Sequence, residues 1–257
     1  MRNFQLIIEY DGTNYQGWQI QDRKFEIRNL KSGRIKTIQG EIEGALEKIF
    51  GKRIKLIGSG RTDSGVHALG QVANFRCDTY LKPLNILNAL NSYLSSDVRV
   101  LKVKEVEKEF HARFSAKSKV YRYIILNHPV ASVFYRNYSW WIKQRLDYYA
   151  MRRTIRLFLG KHNFKAFTTT DPKRKTQNFV RTVKKISFKK YRDFLIFEIE
   201  ADGFLYKMVR NIVGTLVEVG KGKLTPRDVR NIFSTKERKF SGPSAPARGL
   251  FLLKVKY

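Results

Sequence analysis

The 257-residue sequence predicts an α+β fold made of two ferredoxin-like units lying side by side. The first observation is that the predicted elements follow the order β-α-β-β-α-β twice along the chain. The second is charge, because residues 1–110 have a net charge of +5 and residues 111–257 one of +24. We expect subdomains at 1–108 and 109–257, one mixed, mainly antiparallel sheet with the helices on one face, and an active-site cleft between the subdomains.

The first half contains six predicted elements. Alternating apolar residues from Phe4 to Tyr10 predict a strand, and helical spacing of apolar residues after Thr37 predicts a helix with Thr37 as its N-cap. The other elements are a strand at 54–57, a strand at 71–76, a helix at 83–94 and a strand at 98–106.

The second half repeats the order without sharing obvious sequence. Its elements are a strand at 120–126, a helix at 146–159, a hairpin of strands at 182–189 and 194–199, a helix at 206–219 and a closing strand at 250–257. Gly220 is expected to end the second of these helices as a left-handed C-cap. Thr225 and Pro226 predict the start of a short extra helix.

The charge indicates a polyanionic partner. Lys and Arg number 51 against 22 Asp and Glu, which gives a net charge of +29. Between Lys143 and Arg192 there are 16 basic residues and only two acidic ones. A generally basic proteome is the alternative, but composition alone does not concentrate charge in one half of a chain.

Other classes of protein are disfavoured. Cys77 is the only cysteine, so neither a disulfide framework nor a thiolate metal cluster is expected. No apolar stretch approaches the roughly 18 residues of a membrane span, and no apolar signal region follows the N-terminus. We expect a soluble, cytoplasmic protein with no membrane partner.

The densest chemistry lies in the Gly-rich segment from Gly58 to His67. Asp63 is its only carboxylate, and an ionised carboxylate beside a groove can act as a nucleophile or a base. Arg61 offers a forked donor suited to phosphate. Two alternatives stay open from the residues alone: Asp63 could cap a turn, and His67 could be structural at the start of a strand.

Aromatic residues alternate with cations in two segments. One is the run 110–114, which contains Arg113, and the other is the strand with Tyr121 and Tyr123. RNA-binding proteins stack bases on rings and pair phosphates with Lys and Arg. The alternative is that the two tyrosines, which share one face of a strand, pack in the core.

The segment 203–214 combines an apolar helix stripe with Arg210. An arginine beside such a stripe needs an anionic partner, and Asp63 is a candidate. The four histidines are scattered, and neither a Walker loop nor a dinucleotide fingerprint is present. We therefore expect no metal and no nucleotide cofactor.

With these segments in view, the chain resembles the TruA-type tRNA pseudouridine synthases, and the resemblance covers nearly the whole sequence. The Gly-Arg-Thr-Asp-Ser-Gly-Val-His run that contains Asp63 is its most specific motif and favours a catalytic aspartate over a turn cap. The matching segments are 10–19, 60–68, 110–114, 121–123, 208–214 and 245–250.

The resemblance implies that the protein isomerises uridine to pseudouridine in the anticodon stem-loop of tRNA, at the family's sites 38, 39 and 40. Asp63 matches the aspartate that attacks a flipped-out uridine, without a cofactor. A stacked base has no free face for such an attack, so the base must leave the helix. The residues leave open whether Asp63 attacks the ribose or the base, or first removes a ribose proton.

The resemblance also implies roles for other residues. Tyr121 matches the tyrosine that stacks on the target base, and Arg210 matches the arginine paired with the nucleophile. Arg61 is expected to fill the space of the displaced base or grip its backbone, and Leu250 to form an apolar wall. Further substrate contacts are expected from Arg113 and His67.

Family members act as homodimers that hold one tRNA across both subunits, so the resemblance implies a homodimer here. The resemblance further implies that the basic helix around Arg152, Arg153 and Arg156 binds the body of the tRNA. The segment Asp22–Lys36 is longer and more basic than is usual in the family and departs from the pattern. It either extends the tRNA contact or is a tolerated insertion.

Two rival functions remain. A non-catalytic module that binds structured RNA would explain the charge and the aromatic residues, but it would not need Asp63. An RNA hydrolase that uses Asp63 would usually have a second carboxylate or metal ligands, which the loop lacks.

Overall fold

A computed structural model describes residues 1–19, 36–169 and 178–257 of the chain. Apart from Lys36, the predicted basic loop Asp22–Lys36 lies outside the described residues. The described part contains ten strands and five α-helices, so the predicted α+β class is confirmed. By compactness it divides into a first unit of residues 1–117 and 251–257 and a second unit of residues 118–250.

The first unit has the strand order of a ferredoxin-like unit. Its elements in chain order are β1 (Arg2–Tyr10), α1 (Ile38–Phe50), β2 (Ile57–Gly58), β3 (His67–Cys77), α2 (Pro83–Tyr93) and β4 (Val98–Val106). β1 pairs antiparallel with both β3 and β4, and β2 pairs antiparallel with β3. The resulting order β4-β1-β3-β2 places strand neighbours as the β-α-β-β-α-β pattern requires.

The core of this unit follows from the apolar periodicities. Phe4, Leu6 and Ile8 alternate along β1 and are fully buried. Helix α1 buries Ile38 and Ile42, and its N-cap Thr37 accepts a hydrogen bond from the Gly40 N–H, as predicted.

The second unit contains the other elements. They are β5 (Ser118–Asn127), β6 (Trp140–Ile142), α3 (Tyr148–Thr154), β7 (Gly160–Asn163), β8 (Val180–Tyr191), β9 (Phe194–Ala201), α4 (Met208–Gly220) and α5 (Pro226–Thr235). The strand order β5-β9-β8-β7 is antiparallel throughout, and β6 pairs parallel with β5. α5 begins with a capping box between Thr225 and Asp228.

The closing strand β10 (Leu250–Lys256) pairs parallel with the start of β3 through Phe251 and Leu252. The compact division therefore differs from the predicted 1–108 and 109–257, because 251–257 and 109–117 both lie in the first unit. The physical reason is mutual packing: Phe110 contacts the Tyr257 ring, and the Tyr257 hydroxyl donates to the Ala112 carbonyl.

Some predicted element boundaries were wrong. The strand predicted at 54–57 is only Ile57–Gly58, because the Leu56 N–H donates to the Glu43 carboxylate instead of to a strand. The helix predicted at 146–159 is α-helical only as far as Thr154. The Thr154 hydroxyl bonds back to the Ala150 carbonyl, and the chain continues as a 3₁₀ turn over Ile155–Phe158.

The predicted left-handed C-cap at Gly220 was also wrong. Gly220 remains within α4, where Met151 packs so closely that the Sδ atom would lie 2.6 Å from an added Cβ. The left-handed residue is Gly222, with φ of 74°, and its N–H donates to the Val219 carbonyl.

Candidate active site

The loop that carries Asp63 connects β2 to β3 and is anchored at its first half by buried polar side chains. The Ser59 hydroxyl donates to Gln71 Oε1 at 2.6 Å, and Gln71 Nε2 donates to the Gly60 carbonyl at 3.0 Å. Next to Asp63, the Thr62 hydroxyl lies 2.8 Å from the buried Tyr10 hydroxyl. These bonds fix the loop on the sheet because a buried polar group without a partner would cost about 1–3 kcal/mol.

Burial of Tyr10 has an electrostatic consequence. Removal of the phenol from water raises its pKa well above the ordinary range, although hydrogen bonds with Thr62 and Gln71 partly oppose the shift. The Tyr10 hydroxyl therefore stays neutral beside the loop. It holds Thr62 through the bond between the two hydroxyl groups.

The segment 11–18 after β1 lies against the other side of the same loop. The main-chain N–H of Trp18 donates to the Thr62 carbonyl at 3.1 Å, and the Ser64 hydroxyl donates to the Tyr15 carbonyl at 3.1 Å. Gly17 has a φ of 86°, and a Cβ there would overlap the Thr62 carbonyl oxygen and lie 3.0 Å from the Asp63 carbonyl carbon. Glycine is required at this position by both the backbone angle and the close approach.

Asp63 is half-buried at the tip of this anchored loop. The turn that follows it is closed by the main chain, since the Val66 N–H donates to the Asp63 carbonyl oxygen at 3.2 Å and Gly65 has a φ of 75°. Closure of the turn is therefore provided by the backbone of Asp63. The loop thus holds the partly exposed Asp63 on a hydrogen-bonded support, an arrangement that a nucleophile or a base could use.

Arg61 and His67 have different surroundings. Arg61 is exposed, and its Nε donates to Gln19 Oε1 at 3.1 Å. His67 is only 2% exposed; its Nδ1 accepts from the Gly12 N–H at 3.1 Å and its ring stacks on Phe251. This burial agrees with the structural alternative for His67, because its contacts connect β3 to the Asp11-Gly12 turn and to β10.

In the second unit, Tyr121 and Tyr123 lie on the same side of β5, and both are buried. The ring of Tyr121 meets Phe204 edge to face at a centroid distance of 5.0 Å. The Tyr123 hydroxyl donates to the Pro246 carbonyl at 2.7 Å. The core-packing alternative therefore describes Tyr123, while Tyr121 retains a small exposed fraction.

Arg210 lies in the first turn of α4 and is held by the segment that precedes β10. Its Nε donates to the Ala245 carbonyl at 2.7 Å, and the Ala245 N–H donates to the Arg210 carbonyl at 3.0 Å. Burial raises the pKa of Tyr123, and the positive charges of Arg210 and Arg248 partly oppose the shift. Tyr123 and Arg210 thus bond to the carbonyl groups of two neighbouring residues, Pro246 and Ala245.

Sequence reasoning missed the residues that support Arg210. Arg238 donates to the Gly242 carbonyl at 2.8 Å and to Asn211 Oδ1 at 3.1 Å, and Asn211 Nδ2 donates to the Phe167 carbonyl. Burial lowers the pKa of the Arg238 guanidinium. In a chain with 51 Lys and Arg residues, no composition signal distinguishes this arginine from those on the surface.

Leu250 and Arg113 complete the predicted set. Leu250 begins β10 directly after the 3₁₀ turn Ala247–Gly249 and is buried. Gly249 allows this turn to approach Tyr123, whose Cζ would lie 2.7 Å from an added Cβ. Arg113 lies on a separate exposed turn of the first unit.

The predicted site residues are divided between the two units. Asp63, Arg61 and His67 share one loop and the strand start after it, and Tyr121 and Arg210 lie in the second unit on β5 and α4. In the described ranges, no three His, Cys, Asp or Glu side chains form a group that could hold a metal ion. A search of the same ranges finds no helix long and apolar enough to cross a membrane.

A family model and the curated relatives point to the same family. A family model described as tRNA pseudouridine synthase matches residues 6–115 and 154–257. The chain is 44% identical to a protein named tRNA pseudouridine synthase A from Acetivibrio thermocellus, over 100% of both chains. It is 43% identical to the protein of that name from a Thermoanaerobacter species, again over 100% of both chains.

Among solved structures, a crystal structure of a Cbf5-Nop10-Gar1 complex aligns with 70% of this chain and 41% of that chain. The sequence identity is 14% and the TM-score 0.34, values too low to support an argument.

Proposed function

Because the chain belongs to the tRNA pseudouridine synthase family and is thus an isomerase that acts on tRNA, we propose that it modifies the anticodon stem-loop through attack by Asp63 on a flipped-out uridine. The observation that carries the proposal is the anchored loop around Asp63. Bonds from Ser59 and Thr62 fix the loop before the carboxylate, and the Tyr15 and Trp18 main chain fixes it from the other side.

The reaction needs little more than a positioned carboxylate. The bond from C1′ to N1 of the uracil breaks, a bond from C1′ to C5 forms, the C5 proton leaves and N1 becomes protonated. Atoms and electrons balance without an external oxidant, reductant or group donor. A rigid loop favours such a reaction because it keeps the nucleophile within attacking distance while the base is turned over.

The flanking residues have proposed roles in the same reaction. Arg61, exposed beside Asp63, either fills the space that the displaced base leaves or binds the backbone of that nucleotide. Tyr121 stacks on the target base, and Leu250 forms an apolar wall for it. Arg210 supplies positive charge for the nucleophile, and its bond to the Ala245 carbonyl keeps the guanidinium oriented. His67, being buried, supports the loop instead of contacting RNA.

We also propose a homodimer that binds the body of tRNA. Arg152, Arg153 and Arg156 are all exposed on and after α3, which suits phosphate contacts. Val133 and Phe134 are large apolar side chains left exposed in the second unit, as expected of a surface covered by a partner. With tRNA as the substrate, the proposed site of action is the cytoplasm.

The experiment is to incubate the purified protein with unmodified tRNA transcripts, without metal or nucleotide, and to map pseudouridine by carbodiimide-dependent reverse-transcription stops. We expect stops in the anticodon arm that disappear with Asp63→Asn, while tRNA affinity stays within about twofold. Asp63→Asn should lower the rate by about a thousandfold or more, as loss of a nucleophile does in other enzymes.

Two results would contradict the proposal. Stops confined to another arm of tRNA would refute the anticodon assignment. Tight tRNA binding by the folded protein without stops in any transcript would favour the alternative of a non-catalytic module that binds structured RNA.

A further inference from the structure

A strap formed by residues 107–117 lies on the face of the first unit's sheet opposite the buried Phe4 and Phe75. Asn3 and Asn74 point to this face because neighbouring residues of a strand alternate in direction. Asn3 Nδ2 donates to the carbonyls of Glu107 and Phe110 at 2.9 and 3.0 Å. Asn74 Nδ2 donates to Asn3 Oδ1 at 3.0 Å, so the two buried amides act as one clamp.

The clamp fixes the turn 111–114 at the middle of the strap. The Ala112 N–H donates to Asn74 Oδ1 at 2.9 Å, and Ala112 is fully buried. Within the turn, His111 Nδ1 accepts from the N–H groups of Arg113 and Phe114 at 3.2 and 3.3 Å. The Ser115 N–H donates to the His111 carbonyl at 2.9 Å. The turn is thus fixed both by its bond to the sheet and by the bonds within it.

This rigid turn presents an aromatic ring and a cation to solvent. Phe114 is 76% exposed, the His111 ring lies 4.3 Å from it, and the Arg113 guanidinium lies 5.6 Å from its centroid. Exposure of a phenylalanine forgoes the ~1.5–3 kcal/mol that burial of such a side chain contributes. A fixed turn that presents an exposed aromatic ring beside a cation fits a ligand that is both planar and anionic.

From this geometry we propose that the turn 111–114 is a stacking site for an unpaired nucleotide of the RNA substrate, a role that rests on the proposed function. The base stacks on the ring of Phe114 or His111, and the Arg113 guanidinium meets a phosphate of the same strand. Charge favours RNA over a protein partner, because the Arg113 guanidinium adjoins the ring. Rigidity reduces the ordering cost of binding.

The first test compares three variants of the full chain by their equilibrium affinity for tRNA transcript. Phe114→Leu keeps an apolar side chain but removes the ring, Phe114→Tyr keeps the ring, and Tyr80→Leu removes a fully exposed ring elsewhere in the same unit. We expect Phe114→Leu to weaken binding roughly 5- to 150-fold, as loss of one stacked base does. Phe114→Tyr and Tyr80→Leu should bind as the parent does.

The second test measures affinity against salt concentration for Arg113→Gln. We expect the slope of log affinity against log salt to fall by about one phosphate contact, that is by roughly 0.7 to 0.9. Ultraviolet crosslinking to tRNA transcripts that contain 5-bromouridine should also recover the peptide with residues 111–114. A purely structural role for the turn would produce neither the crosslink nor the change in slope.

Parent-like affinity of Phe114→Leu, or an equal loss in Tyr80→Leu, would overturn the inference. So would a change of oligomeric mass in Phe114→Leu with tRNA affinity unchanged, because the turn would then be a protein contact. These outcomes are separable from a failure of the proposed function, in which the parent itself would form no pseudouridine that depends on Asp63.

Discussion

Two helical glycines should respond in opposite ways to replacement by alanine. Gly44 lies within α1, and an added Cβ would meet no atom within 4 Å. Gly214 lies within α4, and a Cβ there would overlap the carbonyl oxygen of Pro243 and lie 2.9 Å from its carbonyl carbon. The obstacle is backbone, so rotation of a side chain cannot relieve it.

The magnitudes follow from the contacts. Alanine favours a helix over glycine by about 0.5–1 kcal/mol, which is the whole effect expected for Gly44→Ala. In Gly214→Ala the segment 243–245 must retreat, which strains two bonds between Arg210 and Ala245. A neutral bond contributes about 1 kcal/mol and a charged one about 1.5–3, so the net loss should be about 2 kcal/mol.

The assay is urea unfolding of the full chain together with the single-turnover rate on tRNA. Gly44→Ala should raise the free energy of unfolding and leave the rate unchanged. Gly214→Ala should lower the free energy and reduce the rate about 10- to 100-fold, because displacement of a catalytic group by about 1 Å has effects of that size. Equal stabilisation by both substitutions, with equal rates, would refute the reasoning.

The other predictions concern single side chains. Tyr123→Phe should cost about 1 kcal/mol near pH 8, because the bond to the Pro246 carbonyl is lost. Burial raises the pKa of Tyr123 in the folded protein, so its contribution to stability is complete below the unfolded pKa of about 10 and declines above it. The urea midpoints of parent and variant should therefore converge by pH 11. A constant gap between them would contradict this. Thr62→Val should cost about 1 kcal/mol in the parent and less in a Tyr10→Phe background, and additive urea midpoints would count against the Tyr10–Thr62 bond. Arg238→Lys should reduce the single-turnover rate more than tRNA affinity, because one ammonium group cannot reproduce the bonds that hold the segment after residue 238; a change in affinity alone would point instead to RNA contact.

Local patterns predicted the elements that depend on local chemistry. Thr37 caps α1 and the pair Thr225–Pro226 starts α5 as expected, because capping involves only residues within one turn. The Gly220 cap was predicted wrongly, because this glycine still lies within α4, where close packing of Met151, distant in sequence, leaves no room for a Cβ. The short strands β6 and β7 were not predicted either, since three or four residues carry no readable period.

For the candidate site, the loop of Asp63 and the segment of Arg210 were predicted from their resemblance to a family. Spacing alone left the turn-cap alternative for Asp63 open. Two sets of supporting bonds could not be predicted: the bond from Arg238 to Asn211, next to Arg210, spans 27 positions, and the clamp of Asn3 and Asn74 under the turn 111–114 spans 71. Such pairs carry no period and no unusual composition, so only the folded backbone brings them together.

The most direct measurement of the central claim is tritium release from tRNA transcribed with [5-³H]uridine. Isomerisation replaces the bond from C5 to hydrogen with one to C1′, so each turnover releases one label. The parent should release tritium without added metal or nucleotide. The folded Asp63→Asn variant, in excess over tRNA and at a concentration that binds all of the tRNA, should release none above background. Release by Asp63→Asn at the parent rate would contradict the assignment of Asp63 as the nucleophile.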